Sequence, residues 1–117
     1  MSTITEDYVS FETAKLLKKK GFNPLECGMY YSLTTGKKTT ELLTSLIACP
    51  TLQMAKKWLR EVHNIDICAF PYQADYILYS YNVKIYKDKE IHLTITDSKT
   101  YEQACETAIK YCLEHLI

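Results

Sequence analysis

The stretch ILYSYNVKIYKDKEIHLTI, residues 77–95, carries the clearest structural signal in the chain. Apolar or aromatic residues occupy every second position on both sides of the polar segment Lys87-Asp88-Lys89. Side chains of a β-strand alternate between two faces, so this pattern predicts two antiparallel strands joined by a tight turn. One face of the first strand is expected to carry Ile77, Tyr79, Tyr81, Val83 and Ile85. In the returning strand Ile91, Leu93 and Ile95 alternate with Glu90, His92, Thr94 and Thr96.

A further strand and a helix are predicted immediately before the hairpin. Ile65, Ile67 and Ala69 alternate with other residues until Pro71, which we expect to end that strand. Upstream, Thr51 is a natural N-cap and apolar residues follow it at three- and four-residue spacing, as in an amphipathic helix. Its expected inward side chains are Leu52, Ala55, Trp58, Leu59 and Val62.

The N-terminal third predicts a helix from Ser10 to Gly21, with Ser10 as N-cap and Gly21 in the left-handed conformation. Residues 27–33 read as a strand and Thr35-Gly36 as a turn. For Thr39–Ala48 we expect a return strand, although Leu42, Leu43, Leu46 and Ile47 also fit a helical turn.

The last helix begins with a capping box, Thr100 and Gln103, and runs to the end of the sequence. Glu106, Lys110 and Glu114 are expected on its outer side. The resulting order is α-β-β-α-β-β-β-α. Short connections between consecutive strands predict an α+β fold in which an antiparallel sheet has helices packed mainly on one face. No linker or internal repeat divides the chain, so residues 1–117 are expected to form one domain.

Composition fits this reading. Of 117 residues, 47% are apolar, and a chain of this length buries about two-thirds of its unfolded surface. Acidic and basic residues balance at 14 each, with the basic excess before residue 61 and the acidic excess after it. No apolar run approaches the roughly 18 residues of a membrane helix, and the start MSTITEDY lacks the pattern of a signal peptide. We therefore expect a cytoplasmic protein that does not bind membranes.

The five cysteines indicate free thiols. They are odd in number, contain no CxxC pair, and stand at Cys27, Cys49, Cys68, Cys105 and Cys112. Cysteines in apolar runs and on an inward helix face behave as small hydrophobic residues in a reducing compartment. We expect most of these thiols to be buried.

Three segments resemble a group of small uncharacterised proteins from gut Bacteroidales and their phages. They are VSFETAKLLKKKGF (residues 9–22), PTLQMAKKWLREVHNIDI (50–67) and TYEQACETAIKYCLEHLI (100–117). The likeness covers most of the chain and is lowest from Gly36 to Cys49. It implies an origin in a prophage or mobile element, and it brings no assigned activity.

From Pro50 onward, the order α-β-β-β-α is similar to the double-stranded RNA-binding domain. That family holds phosphates with lysines at the start of its second helix, whereas this chain has TYEQA at residues 100–104. The Gly-Pro-x-His loop of the family is missing as well. The resemblance therefore implies a fold more than an RNA-binding function.

Catalytic and metal-binding patterns are not expected. Cys49 precedes the helix that ends near His63, but that helix is about 18 Å long, so the two cannot pair. His63, His92 and His115 show no zinc spacing, and the three glycines form no phosphate-binding loop. We predict no catalytic residue, no metal and no cofactor.

Two surfaces are candidates for binding. Lys56, Lys57 and Arg60 form a basic helix face, although Glu61 can pair with Lys57 at four-residue spacing. The strands are rich in tyrosine, including Tyr79 and Tyr81, and exposed tyrosines suit a protein partner or nucleic-acid bases. Because the strand region is more acidic than basic, a protein partner is favoured.

The sequence thus predicts a non-enzymatic interaction or accessory protein that self-associates through an open sheet face or a sheet edge. The alternative is a nucleic-acid-binding module that uses the basic helix face. An enzyme is the third and least favoured reading.

Overall fold

The structure, a computed structural model, describes residues 7–22, 29–40, 46–74 and 77–117. It confirms the α+β class, with helices and antiparallel strands in one chain. In chain order the elements are α1 (Phe11–Lys19), β1 (Tyr30–Ser32), β2 (Lys38–Thr39), β3 (Leu46–Ala48), α2 (Leu52–His63), β4 (Ile65–Ala74), β5 (Ile77–Lys87), β6 (Glu90–Ser98), α3 (Tyr101–Tyr111) and a π-helical turn (Cys112–Leu116).

The described strands form two antiparallel sheets instead of the one expected, with orders β2-β1-β3 and β4-β5-β6. The strand expected at residues 27–33 covers Tyr30–Ser32, and residues 27 and 28 lie outside the described part. In place of one return strand over Thr39–Ala48 there are two short ones, β2 and β3, which pair with opposite edges of β1. Residues 41–45 between them lie outside the described part.

Both ends of α1 follow the predicted capping. The Ser10 hydroxyl accepts a hydrogen bond from the Thr13 N–H at 3.2 Å. At the other end Gly21 has φ +102°, and the Phe22 N–H donates to the Leu17 carbonyl at 2.9 Å. This is the Schellman arrangement, which requires a residue tolerant of positive φ at Gly21.

The predicted hairpin of β5 and β6 is confirmed. Lys87 pairs with Glu90, and the two residues between them, Asp88 and Lys89, have φ values of 53° and 69°. Two consecutive positive φ values define a type I′ turn, whose twist matches that of the strands it joins.

Pro71 does not end β4, contrary to the sequence prediction. Pairing with β5 continues through it, from Ile65 opposite Lys87 to Ala74 opposite Ile77. Because β4 is the edge strand of its sheet, the proline nitrogen can face away from β5 and no hydrogen bond of the ladder is lost.

Helices α2 and α3 pack on the same face of the β4-β5-β6 sheet, and α3 contacts all three strands. Leu52, Ala55 and Leu59 of α2 are buried as expected. Trp58 is only half-buried, with its ring edge-on to Phe22, and Val62 is 60% exposed. The inward assignment is wrong for Val62, whereas Trp58 packs against the core but is not fully buried. Residues 54, 58 and 62 form a separate stripe beside the buried one.

Helix α3 is fastened to α1 by a side chain that was expected to face outward. Glu106 accepts hydrogen bonds on Oε1 from the Thr13 hydroxyl at 2.6 Å and the Ser10 N–H at 3.0 Å. Lys110 pairs with Glu12 at 3.3 Å. The solvent-facing ladder predicted for α3 is therefore replaced, at Glu106 and Lys110, by contacts between helices.

The core lies between the helices and the sheets. Its fully buried side chains include Leu17, Leu59, Ile65, Val83, Ile85, Ile109 and Leu113. Within the described residues, the helices are too short or too polar to span a bilayer.

Candidate protein-interaction surface

The basic helix face predicted on α2 is not a set of three free cations. Lys56 is half-buried, and its Nζ lies 3.1 Å from the Tyr101 hydroxyl oxygen and 5.4 Å from the centre of that ring. Lys56 therefore connects α2 to α3. Its ammonium group is committed to a contact within the fold.

Lys57 and Arg60 are exposed on α2. The pair expected between Lys57 and Glu61 is not formed; among the described residues the ion pair within 4 Å is that of Lys110 with Glu12. Lys57 and Arg60 thus remain as an isolated pair of surface cations.

Tyr81 faces the helices. Its ring meets Tyr101 edge-on at a centroid distance of 6.3 Å, and it packs against the core beside Val83. Tyr101 therefore contacts both Lys56 and Tyr81, two candidates that the sequence had not brought together. The side chain of the other candidate tyrosine, Tyr79, lies outside the described part.

The opposite face of the β4-β5-β6 sheet carries a different set of side chains. Ile65, Val83 and Ile85 point into the core and are fully buried. Because side chains alternate along a strand, their neighbours point to the other side. We call this side the outer face, and its described members on β4 and β5 include Asp66, Cys68, Phe70, Lys84 and Tyr86.

A β-bulge adds Ile91 to the outer face. Ile85 pairs with Leu93, so a regular ladder would set Tyr86 opposite His92; instead Tyr86 pairs with Ile91. The inserted residue shifts Ile91 onto the side of Tyr86, and its side chain is 61% exposed. This corrects the prediction that Ile91 shares a face with Ile95.

The described outer face carries apolar residues mainly on its two edge strands, β4 and β6, and has Lys84 and Tyr86 on its central strand, β5. Cys68 is exposed, whereas Phe70 and Tyr86 are half-exposed. The Lys84 ammonium lies 5.6 Å from the centre of the Phe70 ring, which places both side chains on this face. Where exposed apolar and aromatic groups are contiguous, they can form a protein interaction site.

The alternation of the sequence predicts most of these residues. Asp66, Cys68 and Phe70 occupy the positions between the apolar residues of β4, so their side chains are expected on the other face of the strand. Ile91 could not be found in that way. A bulge depends on how two strands pair, and the sequence of β6 by itself alternates without interruption.

The four cysteines in the described part of the chain do not form a nucleophilic site. Cys49, Cys68, Cys105 and Cys112 are free thiols, and all of them except Cys68 are buried. Burial raises the pKa of the Cys105 thiol and raises that of Cys112 to about 12. The expectation of buried thiols is therefore wrong for Cys68, which lies on the outer face.

A cleft of about 390 Å³ lies between the segment before α1 and the start of α3. Its lining includes Tyr31, Lys38, Glu102 and Glu106. Tyr31 donates a hydrogen bond to the Val9 carbonyl at 2.6 Å, and burial raises its pKa. Since Glu106 is held by α1, this cleft is explained by the junction of the two helices.

Within the same described ranges, no group of three or more histidine, cysteine, aspartate or glutamate side chains could hold a metal ion. The chain was also compared with models of protein families, with curated proteins and with solved structures, and none of these comparisons finds a match. The resemblances to the Bacteroidales group and to the double-stranded RNA-binding domain stay predictions.

Proposed function

We propose that this protein is a non-enzymatic interaction protein and that the outer face is its protein-binding surface. The observation that carries the proposal is the exposure of Cys68 on β4 and Ile91 on β6, on one face of a sheet whose other face is covered by α2 and α3. Apolar groups in contact with water gain free energy when a partner covers them.

Binding through the face is favoured over binding through a sheet edge. The β4 edge contains Pro71, which has no N–H to offer to an added strand. The β6 edge is interrupted by register shifts against β5 in two places. Prolines and bulges are the features by which proteins prevent their edge strands from pairing with other chains.

A protein partner is favoured over nucleic acid because the side chains described on the outer face carry no excess of positive charge. Lys84 is balanced by Asp66 on the same face. The two exposed cations of α2, Lys57 and Arg60, would neutralise few phosphates, and the formal net charge of the chain is zero. Nucleic-acid binding through α2 remains the alternative proposal.

Two further parts of the proposal concern origin and location. The free thiols at Cys49, Cys68, Cys105 and Cys112 fit a reducing compartment, so we place the protein in the cytoplasm. The likeness to Bacteroidales and phage proteins supports an origin in a prophage or mobile element.

Capture from an extract of the native host tests the proposal. The bait is the tagged chain, and untagged copies of the chain count as captured protein. Ile91→Lys places a charge on the outer face and should abolish capture. Val62→Lys is the matched control, because Val62 is 60% exposed, compared with 61% for Ile91, but lies on α2. Equal capture by both variants would contradict the proposal.

A further inference from the structure

We infer that the partner of the outer face is a second copy of this chain, docked face to face about a two-fold axis. This inference rests on the proposed function and adds the identity and orientation of the partner. A two-fold interface places the same surface on both subunits, so the surface must be complementary to itself.

The charges of the outer face meet this requirement. Two of its described groups carry opposite charges, Asp66 on β4 and Lys84 on β5. Lys84 is paired with Cys68, so along the strands Lys84 lies two residues away from Asp66. The two-fold axis lies in the plane of the interface, passes midway between Asp66 and Lys84, and is perpendicular to the line joining them. Rotation about this axis places each Asp66 opposite the Lys84 of the other copy. The dimer therefore gains two opposite-charge contacts and has no like-charge contact between these positions.

The same axis sets the exposed apolar groups against their own copies. Neighbouring strands lie about 4.8 Å apart, and two residues along a strand span about 6.8 Å. In this arrangement Ile91 is opposite Tyr86 and Cys68 is opposite Lys84. The line from Cys68 to Ile91 is then parallel to the axis and about 1.4 Å from it. Cys68 and Ile91 thus lie along the two-fold axis, each close to the same residue of the other copy.

The size of the face predicts a reversible dimer. Three strands are together about 14 Å wide and ten residues extend about 34 Å, so the face offers on the order of 500 Å² per copy. Stable interfaces bury about 800 Å² per partner. We therefore expect a dimer that dissociates on dilution.

Light scattering on the purified chain, combined with charge exchange, tests this inference. The mass should rise from that of one 13.6 kDa chain toward twice that value as concentration increases. Asp66→Lys alone and Lys84→Asp alone should each remain monomeric, because each brings like charges together twice. An equimolar mixture of the two variants should dimerise again, since both contacts are then restored between unlike chains.

A second readout is cross-linking of Cys68 by a short bis-maleimide, which should give a covalent dimer in the wild type and none in Cys68→Ser.

If a variant fails to fold, as far-UV circular dichroism would reveal, Ile91→Lys replaces it as the disrupting change. A purified chain that stays monomeric at concentrations up to about 0.5 mM overturns the inference, because even weak specific interfaces associate there. A dimer that forms equally well with the wild type and with each charge variant also overturns the inference. Host capture that depends on Ile91 would still support the proposed function in either case.

Discussion

At the scale of single residues, two exposed side chains define the outer face, and they differ in how far the sequence reveals them. Cys68 lies opposite the buried apolar residues of β4, which the alternation of that strand already indicates. Ile91 is exposed only because a bulge shifts it, and this depends on pairing with β5. Trp58 and Val62 fit an inward helix pattern on their spacing, but the stripe that contains them lies beside the buried residues of α2.

Trp58→Ala should destabilise the protein by about 2 kcal/mol, less than the 3 to 5 kcal/mol typical of a fully buried tryptophan, since its ring is half-exposed. Leu59→Ala, at the adjacent and fully buried position, should cost more, about 3 kcal/mol. Chemical denaturation measures both changes in the free energy of unfolding. A larger loss for Trp58 than for Leu59 would show that the tryptophan, after all, lies in the core.

Cys112 predicts a dependence of stability on alkaline pH. Burial raises its pKa from 9.0 to about 12. Above pH 9 the unfolded chain loses this thiol proton while the folded chain keeps it, so the free energy of unfolding falls as pH rises, by at most about 1.4 kcal/mol per pH unit. Urea unfolding between pH 9 and 11 should show a shallower decline for Cys112→Ala. Equal slopes for Cys112→Ala and the wild type would refute this account.

At the scale of elements, the helix ends and the hairpin were predictable because their determinants are local. Ser10, Thr51 and Thr100 each accept a hydrogen bond from the backbone N–H three residues later, as their sequence contexts predict. The type I′ turn likewise lies within four residues. Strand ends were less predictable, since Pro71 is tolerated only because β4 is at an edge, and edge position is a property of the whole sheet.

The turn between β5 and β6 offers a stabilising substitution. Lys89 has φ 69°, a conformation that costs an L-residue about 1 kcal/mol and glycine little. Lys89→Gly should therefore raise the free energy of unfolding by about 0.5 kcal/mol or more, part of the gain being lost to the greater freedom of the unfolded chain. Lys87→Gly, in the strand, should lower it. Thermal or urea unfolding checks both, and destabilisation by Lys89→Gly would be inconsistent with the turn assigned here.

The exposed cations of α2 should not support nucleic-acid binding at physiological salt. Phosphate-driven binding requires several uncompensated cations, and Lys56 is already engaged with Tyr101. In a fluorescence titration with duplex RNA or DNA we expect no saturable binding at about 0.15 M salt. Micromolar affinity, abolished by changing Lys57 and Arg60 to Glu, would instead favour the alternative function.

At the scale of the whole molecule, the α+β class followed from the order of periodic segments, but the division into two sheets did not. Whether β1 joins an edge of the β4-β5-β6 sheet or forms its own sheet depends on contacts between segments distant in the chain. Local alternation does not report such contacts. The shortest dimension of the molecule is 20 Å, about the thickness of one helix layer on one sheet. Among the described helices, those that pack on the β4-β5-β6 sheet, α2 and α3, lie on one face of it, an arrangement that no single segment of sequence reveals.

The alkylation rate of Cys68 in the purified protein, measured over a range of concentrations, tests the central claim most directly. If the outer face binds a second copy, Cys68 becomes protected as the dimer forms, and Ile91→Lys abolishes the protection while Val62→Lys preserves it. Buried Cys49 reports on the integrity of the fold in the same sample. A Cys68 rate that stays constant while light scattering shows a dimer would place the interface elsewhere and contradict the account.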